Sequence, residues 1–257
     1  MKQKSTHTSW EKVSTWYNNL LETSEDSYHK QVILPNVLAM LDIKKGEKML
    51  DLACGQGFFA REFLKKGALV TGVDISPSLI EFARKNSPKE IDFRVSSADD
   101  LREFANGIFD KIAVILSVQN IENIQTMFTE CQRVLKKRGV MVLALNHPAF
   151  RVLKHSSWGW DDTTKTQYRR IDAYLSAATV KIDMHPGQEQ KKKTVSFHRP
   201  LQYYVNALAA NGFGVIGLKE LISHKKSQRG PRSQAEDRIR KEIPLFLVVK
   251  AMKLEKG

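Results

Sequence analysis

Cysteine is nearly absent. Cys54 and Cys131 are the two in 257 residues, without CxxC spacing. That excludes a disulfide framework and a thiolate zinc site. No apolar run approaches the ~18–20 residues of a membrane span. The first residues, MKQKSTHTSW, lack the apolar core of a secretory signal. Both cysteines therefore read as reduced thiols of a cytoplasmic protein, with neither a membrane nor a metal as partner. Repeats are absent, and low complexity is confined to the lysines at 191–193. Acidic charge is scarce in one half only. Residues 1–150 carry 20 Lys/Arg against 18 Asp/Glu, whereas residues 151–257 carry 21 against 10. A surplus confined to one half is either a solvated basic face or a surface that meets an anion.

Hydrophobic residues make up 42% of the chain, enough for a large core. Short apolar runs at 49–53, 69–73, 91–95, 112–116 and 140–145 read as buried strands. Between them lie amphipathic stretches, clearest over 121–135, where Ile121, Ile124, Phe128, Cys131, Val134 and Leu135 recur at helical spacing. Strands alternating with helices predict a parallel sheet covered on both faces. Ser76-Pro77 predicts a helix start, and Gly67 a helix end. After Pro148 the rhythm breaks. A hairpin is expected from 180–184 and 194–197 around the loop HPGQEQKKK. A helix is expected over 200–211, a strand at 215–218, a capping box at Ser233–Glu236 and a closing strand over 244–252.

One stretch, MLDLACGQGFFA at 49–60, carries the chemistry. A strand ends near Asp51, turns through Gly55-Gln56-Gly57, and a helix follows. Glycine lets backbone approach a ligand and take positive φ, and a helix N-terminus favours negative charge. Gly55, Gly57 and Ala60 fit G-x-G-x-x-A, a weak signal alone. Asp74 ends the second strand, where a carboxylate accepts both hydroxyls of a ribose; the alternative is that it caps the Ser76 helix. Asp51 adds nothing for a pyrophosphate but suits an ammonium, so a dinucleotide oxidoreductase ranks last. Cys54 reads as packing.

Over about residues 45–150 the chain resembles the class I S-adenosylmethionine-dependent methyltransferases, particularly their type 11 small-molecule branch. LDLACGQG is similar to the first motif of that family and GVDIS to the second. FDKIAVILSVQNIEN and RVLKKRGVMVLAL are similar to its later strands, with Lys137-Arg138-Gly139 in place of the usual Pro-Gly-Gly. The resemblance implies an α/β fold: a Rossmann-like seven-stranded sheet with helices on both faces, the last strand antiparallel and a lid inserted after the fifth. It implies one domain over 1–257, with a helical cover (1–44), a cofactor-binding core (45–150), a substrate lid (151–199) and a closing helix and hairpin (200–257). It also implies S-adenosylmethionine as cofactor. Ala53, Cys54, Gly55 and Gly57 would cradle the methionine moiety, with Asp51 at its ammonium. Asp74 would take the ribose and Ile75 the adenine face. Ser97, Ala98 and Asp99 would take the adenine edge; many relatives carry aspartate where Ser97 stands, which shifts that role to Asp99. Ser117 would lie near the methyl group.

The acceptor is read less directly. After the fourth strand Ser117-Val118-Gln119-Asn120 contains no proline, unlike the Asn/Asp-Pro-Pro-aromatic motif of enzymes that methylate base amines. Neither cysteine sits where a pyrimidine-methylating nucleophile belongs. Ligands of open α/β sheets lie beyond the strands' carboxyl ends, so the segment after the fifth strand should cover the substrate. That makes Asn120, Arg151, Trp158, Trp160, Arg199, Arg229 and Arg232 candidate substrate contacts, and His147 and His198 candidate catalytic groups. Aromatics suit a flat acceptor, and arginines suit a carboxylate or phosphate. In the N-terminal segment, Trp16-Tyr17 and Tyr28-His29 are expected either to close over the cofactor or to pack in the core. The expected activity is methylation, with O-methylation favoured, of a small anionic or aromatic metabolite. RNA modification and a catalytically inactive cofactor-binding partner or sensor stand as alternatives.

Overall fold

The computed structural model describes residues 25–183 and 193–255. Strands β1 (Lys48–Leu52), β2 (Leu69–Asp74), β3 (Asp92–Val95), β4 (Phe109–Ile115), β5 (Leu135–Asn146), β10 (Phe213–Leu221) and β11 (Phe246–Lys253) form one sheet, in the order β10-β11-β5-β4-β1-β2-β3. The first five pair parallel, whereas β11 runs antiparallel to both β5 and β10. Its helices are α1 (Leu34–Leu41), α2 (Phe58–Lys65), α3 (Pro77–Lys85), α4 (Ile124–Val134), α5 (Leu201–Ala210) and α6 (Ser233–Glu242).

Side-chain alternation along the strands divides the core in two. Leu50, Leu52, Ile112, Val114, Leu143 and Val249 join α4 and α5 on one face. Met49, Ala113, Ile115, Val142 and Val248 join α1, α2 and α3 on the other. With both faces covered, the inner strands read as continuous apolar runs rather than alternating ones.

The helix starts follow local chemistry. Ser76 Oγ accepts from Leu79 N at 3.4 Å, with Pro77 opening α3. Gly67 takes φ +86° just past α2, as its place predicted. Two expectations are corrected. The 121–135 pattern becomes a helix only from Ile124, because Asn123 Oδ1 caps Thr126 N at 3.3 Å; residues 118–120 form a separate tight turn. Ser233 does not cap α6: Arg232 holds that position, and Ser233 Oγ turns back to the Gly230 carbonyl at 2.8 Å.

Two hairpins lie between β5 and α5. The expected one pairs β8 (Ala178–Asp183) with β9 (Lys193–His198), and its loop lies outside the described residues. The other, β6 (Ser156–Asp161) with β7 (Thr166–Ile171), carries Trp158 and Trp160 and was not predicted. Trp16 and Tyr17 lie outside the described residues. Among those residues, no helix is long and apolar enough to cross a membrane.

Candidate functional site

At the carboxyl ends of β1, β2 and β4 a cavity of about 800 Å³ opens. Its floor is the glycine turn. Ala53 takes φ +58° and Gly55 φ +55°. For a non-glycine residue that conformation costs about 1–3 kcal/mol and persists only where the surroundings enforce it. Leu116, at the end of β4, does the same at φ +55°, its amide held by Ala144 O at 2.6 Å. Both strained residues line the cavity.

Gly57 plays a different part. It takes φ +82° at the start of α2, and a Cβ there would stand 2.7 Å from Phe93 Cζ. Gly57 does not line the cavity; it lets α2 start close to the sheet.

Electrostatics give the cavity its character. Asp51 is 2% exposed and its Oδ2 has no hydrogen-bond partner. Burial, and then the nearby Asp74 charge, push its carboxyl up to about 7. Asp74 is also raised by burial, but its oxygens are engaged: Oδ2 accepts from Gly55 N and Oδ1 from Ser76 N, each at 2.9 Å. It therefore braces the glycine turn and the Ser76 amide together, while Ser76 itself caps α3. Two buried carboxylates side by side disfavour full ionisation unless a cation joins them. A ligand with an ammonium or sulfonium centre and a ribose fits this wall. Cys54 is held well above its ordinary range by burial and is a packing group. Cys131 is buried within α4.

Ile75, Ser97, Ala98, Asp99, Ser117 and Asn120 also line the cavity. Ser97 Oγ donates to Asp99 Oδ1, and Ser117 Oγ is buried without a partner. Sequence reasoning missed Phe58, Phe59, Ile121, Glu122 and Asn123 on the same wall. The two phenylalanines directly follow the glycine turn, where the first turn of a helix must face the ligand. The 121–123 segment was hidden by its helical spacing.

The candidates after residue 146 stand outside the lining of the cavity. His147 Nδ1 accepts from Ala149 and Phe150 amides at 3.2 and 3.4 Å, so Nε2–H donates to Glu220 at 2.8 Å. The ring closes the turn after β5. His198 Nε2 binds the Tyr174 carbonyl at 2.8 Å. Trp158 lies under Arg169 at 4.9 Å, and Trp160 under Arg232 at 4.5 Å. Arg229 is exposed on the loop before α6. Arg199 is buried and donates to the carbonyls of Ile121 and Glu122 at 3.0 and 2.7 Å. It thus holds the cavity's wall from behind. Arg151 is half-buried, bound to Asn146 Oδ1 at 2.7 Å. None of these eight lines the cavity.

Comparison with known proteins agrees with this geometry. Residues 50–143 match the family described as "Methyltransferase domain". A demethylmenaquinone methyltransferase of Tropheryma whipplei is 35% identical over 112 residues, 42% of this chain and 46% of its own. A ubiquinone biosynthesis O-methyltransferase of Xanthomonas oryzae is 32% identical over 116 residues, 44% of this chain and 48% of its own. The chain thus spans about half the length of these curated relatives. The crystal structure of an S-adenosylmethionine-dependent methyltransferase from Mesorhizobium loti is 26% identical and superimposes with a TM-score of 0.69, over 85% of this chain and 96% of that one. Motifs, sheet order and relatives converge: residues 50–143 match a methyltransferase domain, and the chain has the fold of the class I S-adenosylmethionine-dependent methyltransferases.

Proposed function

We propose that this protein transfers a methyl group from S-adenosylmethionine to a small, largely apolar or aromatic acceptor in the cytoplasm, with oxygen as the accepting atom. The observation that carries the reading is the buried, partnerless oxygen of Asp51 in a cavity at the strand ends. Such a group is stable as a charge only beside a cation. When bound, the cofactor would supply an electrophilic methyl on its sulfonium, with the thioether as the group that leaves when the acceptor attacks that carbon in line. The chain's own residues bind, orient and exclude water. Asp51 and the Ala53–Gly55 turn hold the amino-acid end, Asp74 the ribose, and Ile75 with Ser97, Ala98 and Asp99 the base. Phe58, Phe59 and Ile121 offer the acceptor an apolar wall. Among the described lining residues there is no histidine, which suits an aromatic hydroxyl that loses its proton readily. Relatives named for demethylmenaquinone and for ubiquinone biosynthesis support an aromatic acceptor.

The test is untargeted: labelled S-adenosylmethionine, cell extract, and separation into RNA, protein and small-molecule fractions. Label in the small-molecule fraction is expected. The charge surplus of residues 151–257 favours a second reading, RNA as acceptor, which predicts label in RNA and tRNA binding that falls with salt at a log–log slope of roughly −0.7 per single-strand phosphate contacted. Cofactor binding without label in any fraction would leave the inactive partner.

A further inference from the structure

Two arginines outside the cavity lining have no counter-charge among the described residues. Arg151 follows the end of β5 and is half-buried. Its guanidinium meets Asn146 Oδ1 and the ring of Phe246, 5.3 Å away. Arg169, on β7, reaches over to the same turn: Nε donates to Phe150 O at 2.9 Å, one residue before Arg151, and Nη2 to Ser156 Oγ at 2.6 Å. Neither forms an ion pair among the described residues, although Arg94, Arg102, Arg133 and Arg170 each do. Burial lowers both from their ordinary range, and Arg169 lowers Arg151 further. Guanidinium groups taken out of water are ordinarily paired with a carboxylate; here Arg151 meets an amide oxygen and a ring, and Arg169 a carbonyl, a hydroxyl and the Trp158 ring.

The location gives the pair a use. Asn146 ends β5, the strand beside β4, and β4 leads into Leu116 and Ser117 of the cavity wall. Neighbouring strands lie about 4.8 Å apart. On the open side, Tyr28 packs on Phe246 at 5.5 Å, and the adjacent His29 ring lies 6.2 Å from Phe59 of the wall. The two cations therefore stand at the cavity's rim, whereas its interior has carboxylates and no basic side chain among the described residues.

We infer that Arg151 and Arg169 anchor a compact oxyanion, a carboxylate or a phosphate carried by the methyl acceptor, while its apolar body enters the cavity. That the anion belongs to a methyl acceptor rests on the function proposed above; the anion site itself does not. A guanidinium fork takes either group in two-point fashion.

The experiment is a melting series in chloride buffer at constant ionic strength. Inorganic phosphate or benzoate is titrated into the wild type, Arg151→Met and Arg169→Met, with S-adenosylhomocysteine calorimetry on the same samples. A saturable rise in wild-type Tm is expected with at least one anion, weakened at least tenfold in both variants, while S-adenosylhomocysteine affinity is unchanged. Response to phosphate alone assigns a phosphoryl acceptor, and response to benzoate alone a carboxylate. In chloride buffer without phosphate or benzoate, Arg151→Met should melt no lower than the wild type, since it removes a charge with no ion-pair partner among the described residues. Equal anion responses in all three proteins would overturn the site. So would bulk tRNA binding that Arg151→Met abolishes, because the anion would then be a nucleic-acid backbone. Should a variant not fold, the Nε resonances of Arg151 and Arg169 in the wild type, titrated with the same anions, decide: unmoved signals overturn the anchor. Failure of S-adenosylhomocysteine to bind the wild type would sink the methyltransferase function while leaving the anion result readable.

Discussion

Asp51 holds a proton near neutrality because burial takes its carboxyl out of water and Asp74 stands beside it. Its folded value, about 7 against an ordinary 3.8, means that the native state takes up a proton between those limits. Stability contributed by the protonated form is complete below pH 4 and is lost as pH rises through about 7. Ligand-free Asp51→Asn should therefore melt higher than the wild type at pH 8 and about equally at pH 4. A cationic ligand reverses the preference, so S-adenosylhomocysteine, which keeps the ammonium, should bind the wild type more weakly as pH falls below 7. Calorimetry of Asp51→Asn at pH 8 should show at least a tenfold loss and no pH dependence across that range. A wild-type affinity that is flat from pH 6 to 8 would remove the ammonium from Asp51. Asp74→Ala should cost at least tenfold in cofactor affinity too, since charged hydrogen bonds are worth about 1.5–3 kcal/mol each, and it also frees the Gly55 and Ser76 amides.

At the scale of elements, the cavity depends on where α2 and α3 begin. Ser76 is fully buried and caps α3 through Leu79 N. Ser76→Ala should lower unfolding free energy by about 1 kcal/mol in a denaturant titration, with the slope unchanged. Gly57→Ala meets both a left-handed backbone and the Phe93 ring. The backbone alone costs about 1–2 kcal/mol, and relief comes only if α2 shifts away from β3. Because Ala53 and Gly55 sit at the end of that same turn, cofactor affinity should fall along with stability. A Gly57→Ala protein that loses stability but binds S-adenosylhomocysteine normally would show that the helix start and the cradle are uncoupled.

Across the whole molecule, the two hairpins of the basic half relate to the cavity differently. The β6–β7 hairpin packs on α6, with Arg232 over Trp160. Arg199, by contrast, ties the base of the second hairpin to the 121–122 wall. Hydrogen exchange should distinguish them. Arg232→Ala should speed exchange in 156–171 and leave cofactor affinity unchanged. Arg199→Ala strands two carbonyls and should speed exchange at 117–123 and weaken acceptor binding, raising KM more than it lowers kcat. An Arg232→Ala protein with altered cofactor affinity would mean that the Trp160 end of the first hairpin is coupled to the cofactor pocket.

The amino-acid sequence by itself determined the sheet, the glycine turn and the carboxylates around it. Those features are local: period, caps and a strand–turn–helix unit are written within ten or so residues, and Asp51, Gly55, Asp74 and Ser97–Asp99 share a cavity because successive parallel strands deliver their ends to one edge. Only the tertiary structure decided what the residues after 146 do. Histidines and arginines announce capacity for a site, not occupancy of one. Whether His147 meets a substrate or the amides of Ala149 and Phe150, and whether Arg232 meets an anion or Trp160, depends on which groups long-range packing leaves unsatisfied. The same accounting applies to Arg151 and Arg169: each is named in the sequence as a charge, and only its surroundings show that its partners among the described residues are neutral.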